Sequence, residues 1–152
     1  MTTVVTTVVV AWAITFAGAC GKSKDGAASA PGAASGGPAH LSGTPRTDKV
    51  IESLQGAGLR PDGFAVLQPT PFGAGYCEQG RIQGIDTVVC EFPDDASLDH
   101  GKKLIQEQWD REGVQTGVAT ATKRTLLGVA DRGHHDPNGK TISQILAVFR
   151  KI

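Results

Sequence analysis

Several short clusters in this 152-residue chain carry side chains that could do chemistry. Gly133-His134-His135-Asp136-Pro137-Asn138-Gly139-Lys140-Thr141 places two imidazoles and a carboxylate ahead of a Gly-Lys-Thr, residue types that serve in metal sites and phosphate-binding loops. Neither reading fits. Adjacent histidines project in different directions, whereas zinc wants three or four convergent ligands. A phosphate loop has four residues between its first glycine and the Gly-Lys-Thr. Here there are five, and Pro137 removes one of the backbone donors such a loop depends on. Asp136 as a helix N-cap with Pro137 at the first helical position accounts for the same residues.

Ser97, Asp99 and His100 could form a nucleophilic relay, but they lie on the polar face of a helix without a Gly-x-Ser-x-Gly elbow. Glu78, Asp86 and Glu91 could do paired-carboxylate chemistry; alternation on a half-exposed sheet explains them equally well. Phe72 and Tyr76, in the Pro/Gly loop from Pro69 to Tyr76, form a candidate recognition loop. The competing reading has both rings packing onto the core. No residue is assigned as catalytic or metal-ligating, and no cofactor is expected.

Fifteen basic residues balance fifteen acidic ones, and aromatic residues make up 5% of the chain. There is no positive excess to release phosphate counterions and little aromatic surface to stack bases, so nucleic acid is excluded as a partner. The Pro137 argument excludes a nucleotide.

Cys20 follows an uncharged apolar stretch, Val4 to Phe16, and the small residues Ala17-Gly18-Ala19; Gly21-Lys22-Ser23-Lys24 comes next. The apolar run is too short for a bilayer span, which needs about 20 residues, and has the length of a signal-peptide core. This arrangement resembles the bacterial lipoprotein signal. The resemblance implies a signal peptide over 1–19 and a lipidated cysteine at Cys20, carrying diacylglycerol and an amide-linked acyl chain. It also implies attachment to the cell envelope, at the outer membrane facing the periplasm, because Gly21 is not the inner-membrane retention signal. From Gly21 to Gly43, 18 of 23 residues are Gly, Ala, Ser or Pro. Residues 20–43 are therefore expected to form a disordered tether about 25–30 Å long.

Export would place Cys77 and Cys90 in an oxidising compartment, where a disulfide persists. The hairpin they flank favours pairing. Tyr76 to Phe92 reads as two strands about a Gln83-Gly84 turn, which sets Ile82 opposite Ile85 and Cys77 opposite Cys90. Counting outward from the turn makes the cysteines a non-hydrogen-bonded pair, the closer of the two kinds. Arg81 falls opposite Asp86 in the same register.

The remaining elements follow from periodicity. Thr47–Leu54 predicts a helix ending at Gly56 or Gly58, and Phe64–Leu67 a short strand after an Arg60–Gly63 turn. Pro93-Asp94-Asp95 opens a helix with Leu98, Gly101, Ile105 and Trp109 on its inner face, stopping at Gly113. Gln115–Thr122 and Thr125–Ala130 predict strands about Lys123-Arg124, and Ile142, Ile145, Leu146 and Phe149 an amphipathic helix. The expectation is a single two-layer α+β domain over 44–152, order α-β-β-β-α-β-β-α, with helices on one face of a mainly antiparallel sheet and one disulfide-stapled hairpin. Its expected role is a lipid-anchored binding or assembly module with an envelope protein as partner. The alternative is a small periplasmic enzyme or ligand-binding protein whose site assembles from distant residues.

Overall fold

The computed structural model describes residues 39–68 and 70–152. The signal segment, Cys20, most of the tether and Pro69 lie outside the described residues. The elements run α1 (Thr47–Gly56), β1 (Pro61–Val66), β2 (Tyr76–Ile82), β3 (Ile85–Glu91), α2 (Asp95–Glu112), β4 (Gly117–Thr122), β5 (Thr125–Ala130) and α3 (Lys140–Phe149), with a 3-10 turn at Pro71–Gly73. All strand pairs are antiparallel, and the sheet order is β1-β2-β3-β5-β4. The expected element order and the antiparallel sheet are both present.

The β2–β3 hairpin has the register that its turn dictates, from Ile82↔Ile85 out to Cys77↔Cys90 and Tyr76↔Glu91. Gln83 and Gly84 both adopt positive φ, at 52° and 88°, as a tight turn between twisted strands requires. Cys77 and Cys90 are bonded, with Cα atoms 4.1 Å apart and both side chains fully buried.

Helix α2 begins and ends where its signals lie. The Asp94 carboxylate accepts the Ser97 amide at 2.7 Å, and Gly113 closes the helix in the left-handed conformation. Strand β1 starts earlier than Phe64, because a bulge between Asp62 and Ala65, with Gly63 at φ 63°, lets Pro61 and Asp62 pair with β2. Helix α3 starts later than Pro137, at Lys140. The Asp136 carboxylate still caps it from outside, accepting the amides of Lys140 and Ile142 at 2.8 Å each. Asp131 accepts the amides of His135 and Asp136 in turn, so two carboxylates order the loop before α3.

The helices divide between the faces of the sheet, which corrects the expectation of helices on one face. Ile82, Ile85, Val89, Leu127 and Val129 point to α1 and α3, and with Val50, Leu54, Ile145 and Phe149 they form one core. Cys77, Cys90 and Leu126 point the other way and pack with Leu98, Ile105 and Trp109 of α2 in a second core. The physical reason lies in β3 and β5. Both central strands are apolar on alternate residues of each face, so neither face can be left to water.

Glycines set how closely α2 approaches. A Cβ on Gly128 would lie 2.5 Å from Ile105 Cδ1, and one on Gly101 would lie 2.5 Å from the Phe92 ring and 3.0 Å from the Phe72 carbonyl. Helix, β5 and the 3-10 turn therefore meet backbone to side chain. Among the described residues no helix is long and apolar enough to cross a membrane.

Candidate functional site

Helix α2 lies over β4, β5 and the near side of β3, so the same face of β1 and β2 has no helix above it. The residues β2 presents there are Cys77, Gln79 and Arg81, two of them polar, and they offer a helix little to bury against. The result is a half-open groove of about 580 Å³. Gln79, Arg81, Asp86, Val88 and Gly128 form its floor. Gln108, Trp109 and Glu112 of α2 make one wall, and Leu67, Gln68, Pro71 and Phe72 make the other.

One end of the groove is ionic. Arg81 Nε lies 3.0 Å from Asp86 Oδ1, the pair that the hairpin register sets opposite each other. The Arg132 guanidinium bridges the other Asp86 oxygen, at 3.2 Å, to the Glu112 carboxylate, which also accepts the Gln108 amide at 2.7 Å. The hydrogen bond from Arg132 holds the Glu112 carboxyl below its usual range, and Glu112 raises Arg132 in return. Both groups stay charged throughout the ordinary pH range. Charged groups of this kind can pair with polar or charged partners by hydrogen bonds and ion pairs.

A second cluster sits at the end of the sheet, on the α1/α3 face. Glu91 is fully buried there. Its carboxylate accepts the amides of Thr47 and Leu41 at 2.7 Å each and the Thr47 hydroxyl at 3.0 Å, and His40 Nδ1 lies 2.6 Å away. Because a carboxylate only accepts, His40 Nδ1 is the donor in this contact. Burial pushes the Glu91 carboxyl up, but these converging donors outweigh it and leave its pKa below 4.5. The cluster works as a clasp. It caps α1, whose own N-cap Arg46 supplies no side-chain capping hydrogen bond, and it fastens residues 40–47 to β3. Arg124 donates to the carbonyls of Ser42 and Pro93, and Thr125 to that of Pro45 at 2.6 Å, so residues 42–45 are also fastened to the domain.

The two aromatics of the candidate recognition loop part company across the sheet. Phe72 is half-buried, packs against the α2 core and faces the groove. Tyr76 is buried, its ring 4.1 Å from that of His40 and its hydroxyl donating to Glu78 at 2.7 Å. Burial, reinforced by the Glu78 carboxylate, pushes its pKa up to about 12, so it stays a phenol. His100, His134 and His135 are exposed, and among the described residues no three His, Cys, Asp or Glu side chains converge as a metal site would require.

Register placed Arg81 against Asp86, and periodicity put Trp109 on the inner face of α2, but nothing local brings Gln108 and Glu112 of α2 and Arg132, after β5, to the hairpin. Glu91 did carry one. Alternation puts it on the face of Ile85 and Val89, at the end of an apolar stripe, not among the exposed polar residues of the hairpin. Compared with known proteins, the chain matches no family model, no curated protein and no solved structure.

Proposed function

We propose that the protein is a lipid-anchored component of the bacterial cell envelope, at the outer membrane facing the periplasm. Its α+β domain acts as a binding or assembly module through the groove between α2 and strands β1 and β2. The groove carries this reading. It is half-open, floored by exposed polar side chains of a sheet, walled on one side by Phe72 and closed at one end by the ion pairs of Arg132 with Asp86 and Glu112. A surface of that kind suits an extended or polar ligand held by contacts, and Phe72 is the aromatic anchor in its wall. Anchoring rests on Cys20 behind its apolar leader, and the buried Cys77–Cys90 bond suits an oxidising compartment.

Two measurements on the full chain, expressed in a bacterial host, test the proposal. Radiolabelled fatty acid should enter the wild-type protein and not Cys20→Ser, which should leave the membrane fraction. A photo-crosslinking residue at Gln79, in the groove floor, should capture an envelope partner that the same residue at the exposed Ser53 of α1 does not. Label in Cys20→Ser, or equal capture at both positions, overturns the reading.

A further inference from the structure

The sheet ends in two different edges. An edge strand presents a row of unpaired N–H and C=O groups, and chains that stay apart blunt it with proline, charge or a bulge. Strand β1 has all three, in Pro61, Asp62 and the irregularity between Asp62 and Ala65. Strand β4 has none. It reads Gly-Val-Ala-Thr-Ala-Thr, its register with β5 is unbroken from Gly117↔Ala130 to Thr122↔Thr125, and each residue keeps part of its surface exposed.

Parity decides which backbone groups are free. The pair flanking the two-residue turn exchanges both hydrogen bonds, so Thr122, Thr120 and Val118 direct theirs to β5, and the Asp131 amide continues the ladder to the Thr116 carbonyl at 2.9 Å. Gly117, Ala119 and Ala121 turn their N–H and C=O groups outward. Among the described residues none of these groups takes a backbone partner.

We propose that this edge docks a second copy of the chain, β4 against β4, antiparallel about a two-fold axis through Ala119, so that the two sheets become one. The sequence around Ala119 favours a copy of itself over any other strand. Thr116-Gly117-Val118-Ala119-Thr120-Ala121-Thr122 has the same succession of shapes in either direction, because Val and Thr are near-isosteric and Gly and Ala are both small. Placing Ala119 opposite its own copy sets Gly117 opposite Ala121, Val118 opposite Thr120 and Thr116 opposite Thr122. All three outward-facing residues then pair, giving about six new backbone hydrogen bonds. Charge agrees with the antiparallel sense. The antiparallel register sets exposed Lys123, just past one end of β4, opposite exposed, uncharged Gln115 of the second copy; a parallel pairing would set Lys123 against Lys123. A closed two-fold contact of this kind stops at two chains, because each copy's other edge is blunted.

The test uses the full chain in the membranes of its host. Two tagged variants, Val118→Cys and Thr120→Cys, are co-expressed and oxidised. These residues face each other as a non-hydrogen-bonded pair with Cα atoms about 4.5 Å apart, close enough for a disulfide. The mixed dimer should form at least about fivefold more than either homodimer, an order-of-magnitude expectation from that difference in separation. Adding Ala119→Pro to both chains removes an outward donor while leaving every bond to β5, and the mixed dimer should be lost. If Ala119→Pro also lowers the thermal midpoint, the selectivity of the first comparison decides alone. Equal yields in all three combinations, no crosslink at all, or capture of a different polypeptide at these positions overturns the proposal.

Discussion

The Glu91 carboxylate accepts the Thr47 amide at 2.7 Å, so the last residue of β3 caps the first turn of α1, 44 residues earlier in the chain. The same oxygen takes the Thr47 hydroxyl and faces His40, and its neighbour takes the Leu41 amide. One side chain thus joins the lead-in segment, the first helix and the end of the central strand.

Replacing Glu91 by Gln keeps the shape and removes the charge, and it turns an amide NH₂ toward a set of donors. At least one buried N–H then loses its acceptor, at a cost of about 2–3 kcal/mol. Urea denaturation of the two proteins should show the loss in the midpoint with an unchanged slope. A change below about 0.5 kcal/mol would mean that the clasp contributes nothing to folding.

Acid should unfold the domain through the same residue. The folded-state pKa of Glu91 lies below its ordinary value of 4.5. Between the two values the unfolded chain binds more protons, so stability falls as the pH falls. The contribution is complete above about pH 4.5 and disappears as the pH drops through the folded-state value. Asp131, which burial raises but the amides of Asp136 and His135 lower further, contributes with the same sign. Stability measured from pH 6 down to pH 2 should therefore fall more steeply in the wild type than in Glu91→Gln.

Removing the disulfide tests the staple. A ring of about 14 residues restricts the unfolded chain by about 3 kcal/mol in the loop-entropy account. For a domain of this size, Cys77→Ala with Cys90→Ala should lower the thermal midpoint by on the order of 10–20 °C, read by circular dichroism. A smaller drop would place more of the stability in the two cores.

Gly101 offers a test of sign. Alanine in mid-helix gains about 1 kcal/mol in propensity. Here its Cβ would meet the Phe92 ring at 2.5 Å and the Phe72 carbonyl at 3.0 Å, so α2 must shift away from the turn that walls the groove. Gly101→Ala should destabilise the domain by about 1–3 kcal/mol, as overpacking does. A more stable variant would show that the helix has room to move.

What could be read from the sequence was whatever neighbouring residues decide. The Gln83-Gly84 turn fixes every pair of its hairpin, and Asp94 and Gly113 bound α2, because each acts within a few residues of itself. The division of helices between faces was also implicit, since Val88, Val89, Leu126 and Leu127 leave no polar side on the central strands. The bulge that brings Pro61 into β1 and the capping of α3 by Asp136 from outside the helix depend on how loops settle against distant strands. The groove is a matter of what α2 fails to cover, and a lateral offset of one helix leaves no mark on periodicity.

The bond between Cys77 and Cys90 also governs what a protease could do to the molecule. Gln83 and Gly84 are exposed at the tip of the hairpin, inside the ring that the two sulfurs close. A nick there would create new ends without releasing a fragment. The cut protein would migrate as a single species on a gel, and its halves would separate only after a thiol was added.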